Sequence, residues 1–416
     1  MADGRIAQLY AAADAARAAR RPDDATRHLQ AVLAIDPRQP RALNMLGLQA
    51  LTTGDAKTAV EMLTRAAAAA PQAIELRLNL ADAQRRLGDD AGELASLNAA
   101  LAIEPYAVIA LLRKAQFAER RGRLSDAAKS YGAVLNIVAS NPLPPELAAQ
   151  VEHGRAVVNA NIAALGTTLA RHLADPRAAV ENEAAWRFDA CVEQLLGRRR
   201  VYPSQPTGLS YPGLPLIEIF PRALMPWLSE LEAATADIQR EFAALEGGFA
   251  PYVAMPAGTP VNQWEALNHS LDWSALFLWQ DGIRNDANCA RCPATAALLD
   301  RLPLLDVPGR GPAAFFSVLR PRTHIPPHVG VTNIRAVVHL PLVVPDGCGI
   351  RIGALTRQWV IGTAFAFDDT IEHEAWNDSD QPRAVLILDV WNPAIDPVER
   401  DLLRALTVGL DAHGQA

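Results

Sequence analysis

The 416-residue sequence predicts a two-domain α plus all-β chain: an α-helical repeat solenoid, then an antiparallel β sandwich or barrel with flanking helices. Two patterns predict it. Through residue 140, prolines and glycines recur at a fixed period between apolar helical runs. From residue 247, short apolar runs are separated by proline- and glycine-containing turns, and no helical runs lie between them to suggest a parallel sheet.

The repeat comes first. Pro37, Pro71 and Pro105 are 34 residues apart, and Gly54, Gly88 and Gly122 repeat that spacing. Each proline closes an apolar run (AIDP, AAAP, AIEP), because proline cannot continue a helix. A 34-residue helix–turn–helix period is the tetratricopeptide signature. The second repeat fits best, with Leu46 and Gly47 in its first helix and Ala59, Leu63 and Ala66 in its second. The first repeat carries Arg20-Arg21-Pro22-Asp23 where the others have glycine, and the fourth ends loosely at Ser140-Asn141-Pro142, as terminal units do. Leu147 to Leu173 reads as a longer helix covering the last repeat. These readings give repeats over residues 1–140, capping or linker helices over 141–196 and a β domain over 197–416.

VYPSQPTGLSYPGLP, ending at Pro215, cannot be helix interior. Ala223–Leu245 reads as one helix with Trp227, Leu228, Leu231 and Ile238 on its apolar stripe. Trp264, Trp273 and Trp279 cluster, as core or as a pocket wall. Strands are expected at Ala313–Leu319, Ile334–Val344, Gly349–Ile352, Gln358–Ile361, Ala364–Phe367 and Ala384–Trp391. In the second, Asn333, Arg335, Val337 and His339 share one face. Alternation alone leaves open whether that face meets water or a barrel interior.

Composition excludes several classes. Half of the residues are hydrophobic, the formal net charge is −7 and no long basic stripe occurs, which argues against nucleic acid as a partner. No window is apolar enough to span a membrane, and the N-terminus has no apolar signal core. The four cysteines (Cys191, Cys289, Cys292 and Cys348) read as reduced thiols in a cytoplasmic setting. Cys289 and Cys292 form a CxxC with no second pair to make a zinc site.

The chemistry concentrates in Thr323–Trp391, which holds four of the nine histidines: His324, His328, His339 and His373. Non-haem Fe(II) oxygenases hold their metal with two histidines and a carboxylate, often as His-x-Asp/Glu, a distant His, and an arginine that forks onto a carboxylate. Here the order is His328-Val329-Gly330, then His373, then Arg383 ten residues on. Gly330 stands where the carboxylate belongs, so by spacing alone the motif is incomplete.

Three pieces give that stretch a family resemblance: FFSVLRPRTHIPPHVGVTNIRAVVHLPL, FDDTIEHEAWND and RAVLILDVWNP. With the upstream LSYPGLP and DWSALFLWQDG, the last roughly 210 residues resemble the aspartyl/asparaginyl β-hydroxylase family of 2-oxoglutarate oxygenases. The resemblance implies a double-stranded β-helix, or jelly roll, with Fe(II) and 2-oxoglutarate as metal and co-substrate. It makes a glycine at position 330 normal and assigns the metal to His328 and His373. It implies that Arg383 pairs with the distal carboxylate of 2-oxoglutarate, that His339 and Ser317 also contact it, and that Trp273 is a pocket aromatic on that side. Asp369 would orient metal-bound water, and Arg335 would face substrate. His324 is read as structural, and Asp368 as a turn group or a group behind the metal ligands, not itself a ligand. The sequence departs from the resemblance at Val337, where peptide-hydroxylating members can carry a second arginine, and at Ala296, where a cysteine partner for Cys289 is missing.

The implied reaction is hydroxylation of a peptidyl side chain by O₂, at the β-carbon of Asp, Asn or a related residue, with succinate and CO₂ as co-products. The repeats would help to present the polypeptide. Two other functions remain open: the same chemistry on a small molecule or lipid acyl chain, and a repeat-based interaction protein without activity.

Overall fold

The structure is a computed structural model and describes residues 2–139, 144–260 and 262–413. The chain forms two compact units, Met1–Ala179 and Val180–Ala416.

In the first unit eight helices pair in order: α1 (Ala2–Ala18) with α2 (Pro22–Ile35), α3 (Pro40–Thr52) with α4 (Ala56–Ala69), α5 (Ile74–Leu87) with α6 (Asp90–Ile103), and α7 (Val108–Arg120) with α8 (Leu124–Val138). Pro37, Pro71 and Pro105 each lie two residues beyond a helix end. Gly54, Gly88 and Gly122 take φ of +85°, +81° and +67°, the left-handed turn that joins the two helices of a pair. Arg20, at the matching place in the first pair, takes the same region at φ +56°. Gly47 sets the approach of α3 and α4, since a Cβ there would stand 2.6 Å from Leu63 Cγ. Ala59, Leu63 and Ala66 are fully buried between them. Hydrogen bonds about one repeat apart tie the pairs together: Asn79 donates to Asn44 at 2.9 Å and Arg113 to the Leu78 carbonyl at 2.8 Å. These are tetratricopeptide repeats, and α9 (Ala148–Ala178) packs on α8. The expected end of the fourth repeat, Ser140–Pro142, lies outside the described residues.

The second unit opens with α10 (Asn182–Leu195). The expected helix over Ala223–Leu245 is two short ones, α11 (Leu228–Ala233) and α12 (Thr235–Ala243). Pro226 lies inside the expected span, and Thr235 Oγ1 donates to the Glu232 carbonyl at 2.6 Å, in competition with the helix ladder. Leu228, Leu231 and Ile238 are buried as the stripe requires.

The remaining elements are β1 (Ala250–Pro251), β2 (Trp273–Gln280), β3 (Ile283–Arg284), α13 (Asp286–Arg291), α14 (Pro293–Leu299), β4 (Ala314–Leu319), β5 (Thr323–His328), β6 (Arg335–Val343), β7 (Cys348–Ile352), β8 (Leu355–Arg357), β9 (Phe365–Phe367), β10 (His373–Asn377), β11 (Arg383–Trp391) and α15 (Pro397–Ala412). One sheet runs β1-β2-β4-β11-β6-β9 with β3 on β2, and the other β5-β10-β7-β8. From β4 to β11 the chain distributes eight strands between the sheets in jelly-roll order, so that first and eighth, and second and seventh, are neighbours.

Ala336, Val338 and Leu340 of β6 pack with α11, α12 and α14 on the outer face of the larger sheet. Val337 belongs to the core between the sheets. The face shared by Arg335, Val337 and His339 therefore looks into the barrel. Five strands escape the sequence reading: the two-residue β1 and β3, and the longer β2, β5 and β10. Conversely, Gln358–Ile361 is not a strand; the chain pairs instead at Leu355–Arg357, and Val360 and Ile361 are exposed.

Candidate active site

His328 ends β5 and His373 begins β10, and the antiparallel ladder places them directly opposite each other. Their ring centroids are 4.0 Å apart. His328 Nδ1 lies 2.8 Å from the Pro326 carbonyl and His373 Nδ1 lies 3.0 Å from the Ile371 carbonyl. A carbonyl only accepts, so each Nδ1 carries the proton and each Nε2 keeps its lone pair. Burial pushes His328 down to about 3, with the neighbouring His373 adding to the effect, and burial also holds His373 below the usual histidine range. Both rings are thus neutral near pH 7, the state that ligates metals. A strap of chain fixes the flanking backbone. Thr207 and Gly208 donate to the carbonyls of Gly330 and Val331 at 3.1 and 2.8 Å, and Gln205 to that of Thr370 at 2.8 Å.

The Gly330 amide donates to the Asp369 carbonyl at 2.7 Å. A Cβ on Gly330 would collide with the carboxylate of Asp369. The volume that an aspartate side chain would need at position 330 is therefore already filled by a carboxylate from elsewhere in the chain. Asp369 Oδ2 accepts from Arg335 Nη2 at 2.6 Å, and its buried Oδ1 has no partner. The other arm of Arg335, Nη1, donates to Asp389 Oδ2 at 2.9 Å.

At the far side sits Arg383, 2% exposed, its guanidinium 4.6 Å from the Trp359 ring centre. Its Nε and Nη1 are buried without partners, and burial pulls it down to about 10. His339 Nδ1 is likewise buried and unpartnered, and burial beside the Arg383 charge holds that ring well below its ordinary range. Ser317 is fully buried, and its Oγ accepts from Trp273 Nε1 at 3.2 Å.

All eight residues singled out from the sequence line one cavity of about 450 Å³. Others stand apart. His324 is exposed and bonded to Glu374 at 2.9 Å. Asp368 accepts from the amide and hydroxyl of Thr370 and closes a turn. A bulge in β2 after Phe277 lets Trp279 join the outer core while Trp273 lines the cavity. Cys289 and Cys292 are buried free thiols, and burial raises both, Cys292 to about 11, which makes them unreactive. Sequence reasoning missed Asp389, Trp359 and Tyr252. Only Asp389 left a signal: a lone carboxylate inside the apolar run RAVLILDVW.

Among the described residues no group of three or more His, Cys, Asp or Glu side chains is arranged to hold a metal ion. The donor set is thus two neutral imidazoles, with an unpartnered carboxylate oxygen at Asp369 and an unpartnered buried guanidinium in the same cavity. A buried cation without a counter-charge is costly, so the Arg383 seat fits an anion. Two open nitrogen ligands plus an anion seat fit a divalent metal with an anionic co-ligand.

The class that fold and site define is a jelly-roll domain with a two-histidine cavity. Residues 232–393 match the model of the aspartyl/asparaginyl beta-hydroxylase family, and the chain carries a domain of that family behind its tetratricopeptide repeats. The human aspartyl/asparaginyl beta-hydroxylase is 41% identical over 143 residues, 34% of this chain and 19% of that protein. The ornithine lipid ester-linked acyl 2-hydroxylase of Rhizobium tropici is 31% identical over 193 residues, 45% of this chain and 66% of that protein. These matches cover less than two thirds of either relative. A crystal structure of the MamA protein is similar over 42% of this chain and 97% of its own, at 16% identity and a TM-score of 0.33. No helix among the described residues is long and apolar enough to cross a membrane.

Proposed function

We propose that the β domain is an Fe(II)- and 2-oxoglutarate-dependent hydroxylase of a peptide or protein side chain. The observation that carries this reading is the buried, unpartnered Arg383 in the same cavity as two histidines with free Nε2 lone pairs. The family match supports it. His328 and His373 would hold the metal. Bound together, Fe(II) and 2-oxoglutarate supply O₂-driven conversion of a substrate C–H to C–OH, with succinate and CO₂ as the other products.

The protein's own residues bind, orient and exclude water. Arg383 anchors the distal carboxylate of 2-oxoglutarate with its two unused donors, and His339 and Ser317 add hydrogen bonds. Asp369 keeps Oδ1 free to accept a hydrogen bond from water, while Arg335 pins its other oxygen. Trp273, Tyr252 and Phe315 wall the cavity with apolar surface and keep bulk water out. The repeats present the polypeptide, and the four free thiols suit a reducing cytoplasm.

The 31% identical acyl 2-hydroxylase supports a second reading, the same chemistry on a lipid acyl chain. One experiment tests both. The full chain is given Fe(II), 2-oxoglutarate and ¹⁸O₂ with either a peptide pool or a pool of acyl lipids. Succinate release with label in a peptide product, both lost in His373→Ala, is expected. Label in lipid alone favours the second reading, and no succinate in any mixture contradicts both.

A further inference from the structure

Resting on that reading, we infer that the substrate end of the cavity is built to receive an uncharged side chain, an amide or an aliphatic group, and to turn away a carboxylate. The decisive feature is the state of Arg335. Both of its Nη groups are bonded, to Asp369 at 2.6 Å and to Asp389 at 2.9 Å, so that only its buried Nε, a single donor and not a fork, is left without a partner. The two carboxylates are buried, with side chains 7% and 4% exposed. One guanidinium thus sits between two carboxylates, and no positive charge is left over for a third.

The other cations of the cavity are also committed. Among the described residues that line it, the basic ones besides histidine are Arg310, Arg335 and Arg383. Arg310 is exposed and paired with Asp411 at 2.6 Å. Arg383 lies in the anion seat that the proposed function gives to 2-oxoglutarate. An incoming carboxylate would meet the Asp369–Asp389 pair and find no free fork to replace its water.

Most of the remaining wall is aromatic or aliphatic, with Gln280 and Asp281 also on it. Tyr252 stacks on Trp273 at 4.0 Å and on Phe315 at 5.3 Å, and Phe277 packs on Phe315 at 4.8 Å. Val337 and Ile387 extend the same surface. A neutral side chain gives up less hydration than a carboxylate to enter such a wall, and the Tyr252 phenol and the Gln280 amide are lining groups able to hydrogen-bond an amide. Arg335 is a positioning residue on this account: it orients Asp369 and does not grip the substrate.

The test uses the full chain with Fe(II) and 2-oxoglutarate under anaerobic conditions. Substrate binding is read from the near-infrared ligand-field bands of the metal. Three blocked pentapeptides identical except for a central Asp, Asn or Leu are titrated in. The Asn or the Leu peptide is expected to shift the bands at a concentration at least about tenfold below that needed with the Asp peptide. An Asp peptide that acts at an equal or lower concentration, identical responses, or no response from any of the three overturns the inference. Asp389→Asn removes one of the two negative charges set against Arg335 and is expected to improve the Asp peptide by about tenfold. Val337→Lys, which adds a cation on the same wall, serves if that variant does not fold. An Asp peptide unimproved by whichever variant folds overturns the inference too. The metal-to-2-oxoglutarate charge-transfer band is recorded in the same samples. Its absence retires the proposed function, whereas its presence with an Asp preference retires only this account of the pocket.

Discussion

At the residue scale, Gly330 and Arg383 carry the account. Gly330 reads in sequence as a missing ligand, and in the fold it is the space that Asp369 needs. Asp369 cannot swing away cheaply, because Arg335 holds its Oδ2. Gly330→Asp, which restores the familiar triad on paper, is therefore expected to destabilise the domain by about 1–3 kcal/mol and to weaken Fe(II) binding. Thermal melts and metal titration check this, and tighter metal binding would contradict it. Arg383 behaves in the opposite way. Arg383→Met removes a buried unpaired charge, so the ligand-free protein should melt at the same or a higher temperature. The same change should cost roughly 100-fold in 2-oxoglutarate affinity, since a buried charge pair is lost. A calorimetric titration that finds the affinity unchanged would remove Arg383 from the anion seat. Both residues stand out in the sequence because motif spacing marks them. Asp389, Trp359 and Tyr252 have no such frame. Asp389 comes to Arg335 through strand pairing across 54 positions, and nothing local announces that partnership.

At the element scale, the strands that bring the histidines together were the hardest to read. β5 contains Pro326 and Pro327, which argue against a strand; they are tolerated because β5 is the edge of its sheet, with β10 on one side only. β10 is short and half polar, HEAWN, so its apolar signal is weak. The helix pairs were legible because proline and glycine mark every boundary. Three strands carry histidines that burial keeps neutral: His328 on β5, His339 on β6 and His373 on β10. Their folded pKa values lie below the unfolded value of about 6.5. Above that pH neither state is protonated and the effect is nil. Below it the unfolded chain takes up protons that the fold refuses, so stability falls by about 1.4 kcal/mol per pH unit for each histidine. Asp368, which burial pushes up to about 6, gains a proton in the fold and offsets part of this loss. The melting temperature of the metal-free protein should therefore drop from pH 7 to pH 5, and a flat profile would contradict the burial of these rings.

At the scale of the whole molecule, the chain forms two compact units, and their boundary near residue 180 tells where to cut. Removing residues 1–179 should leave substrate-free consumption of 2-oxoglutarate unchanged while lowering kcat/KM on a polypeptide substrate. Equal turnover of the polypeptide by the truncated and full chains would show that the repeats do not present it. The fold class was readable at this scale because one period and one alternation govern the two halves. The jelly-roll order was not, since it depends on pairing between strands far apart in the chain. The central claim is that His328, His373 and Arg383 together seat a metal and 2-oxoglutarate. Its most direct test is an anaerobic titration of Fe(II) and 2-oxoglutarate, followed by the visible charge-transfer band. The account predicts one band per chain, lost in His328→Ala and His373→Ala and much weakened in Arg383→Met at limiting 2-oxoglutarate. A wild-type chain that forms no band, or a band that survives loss of either histidine, would contradict it.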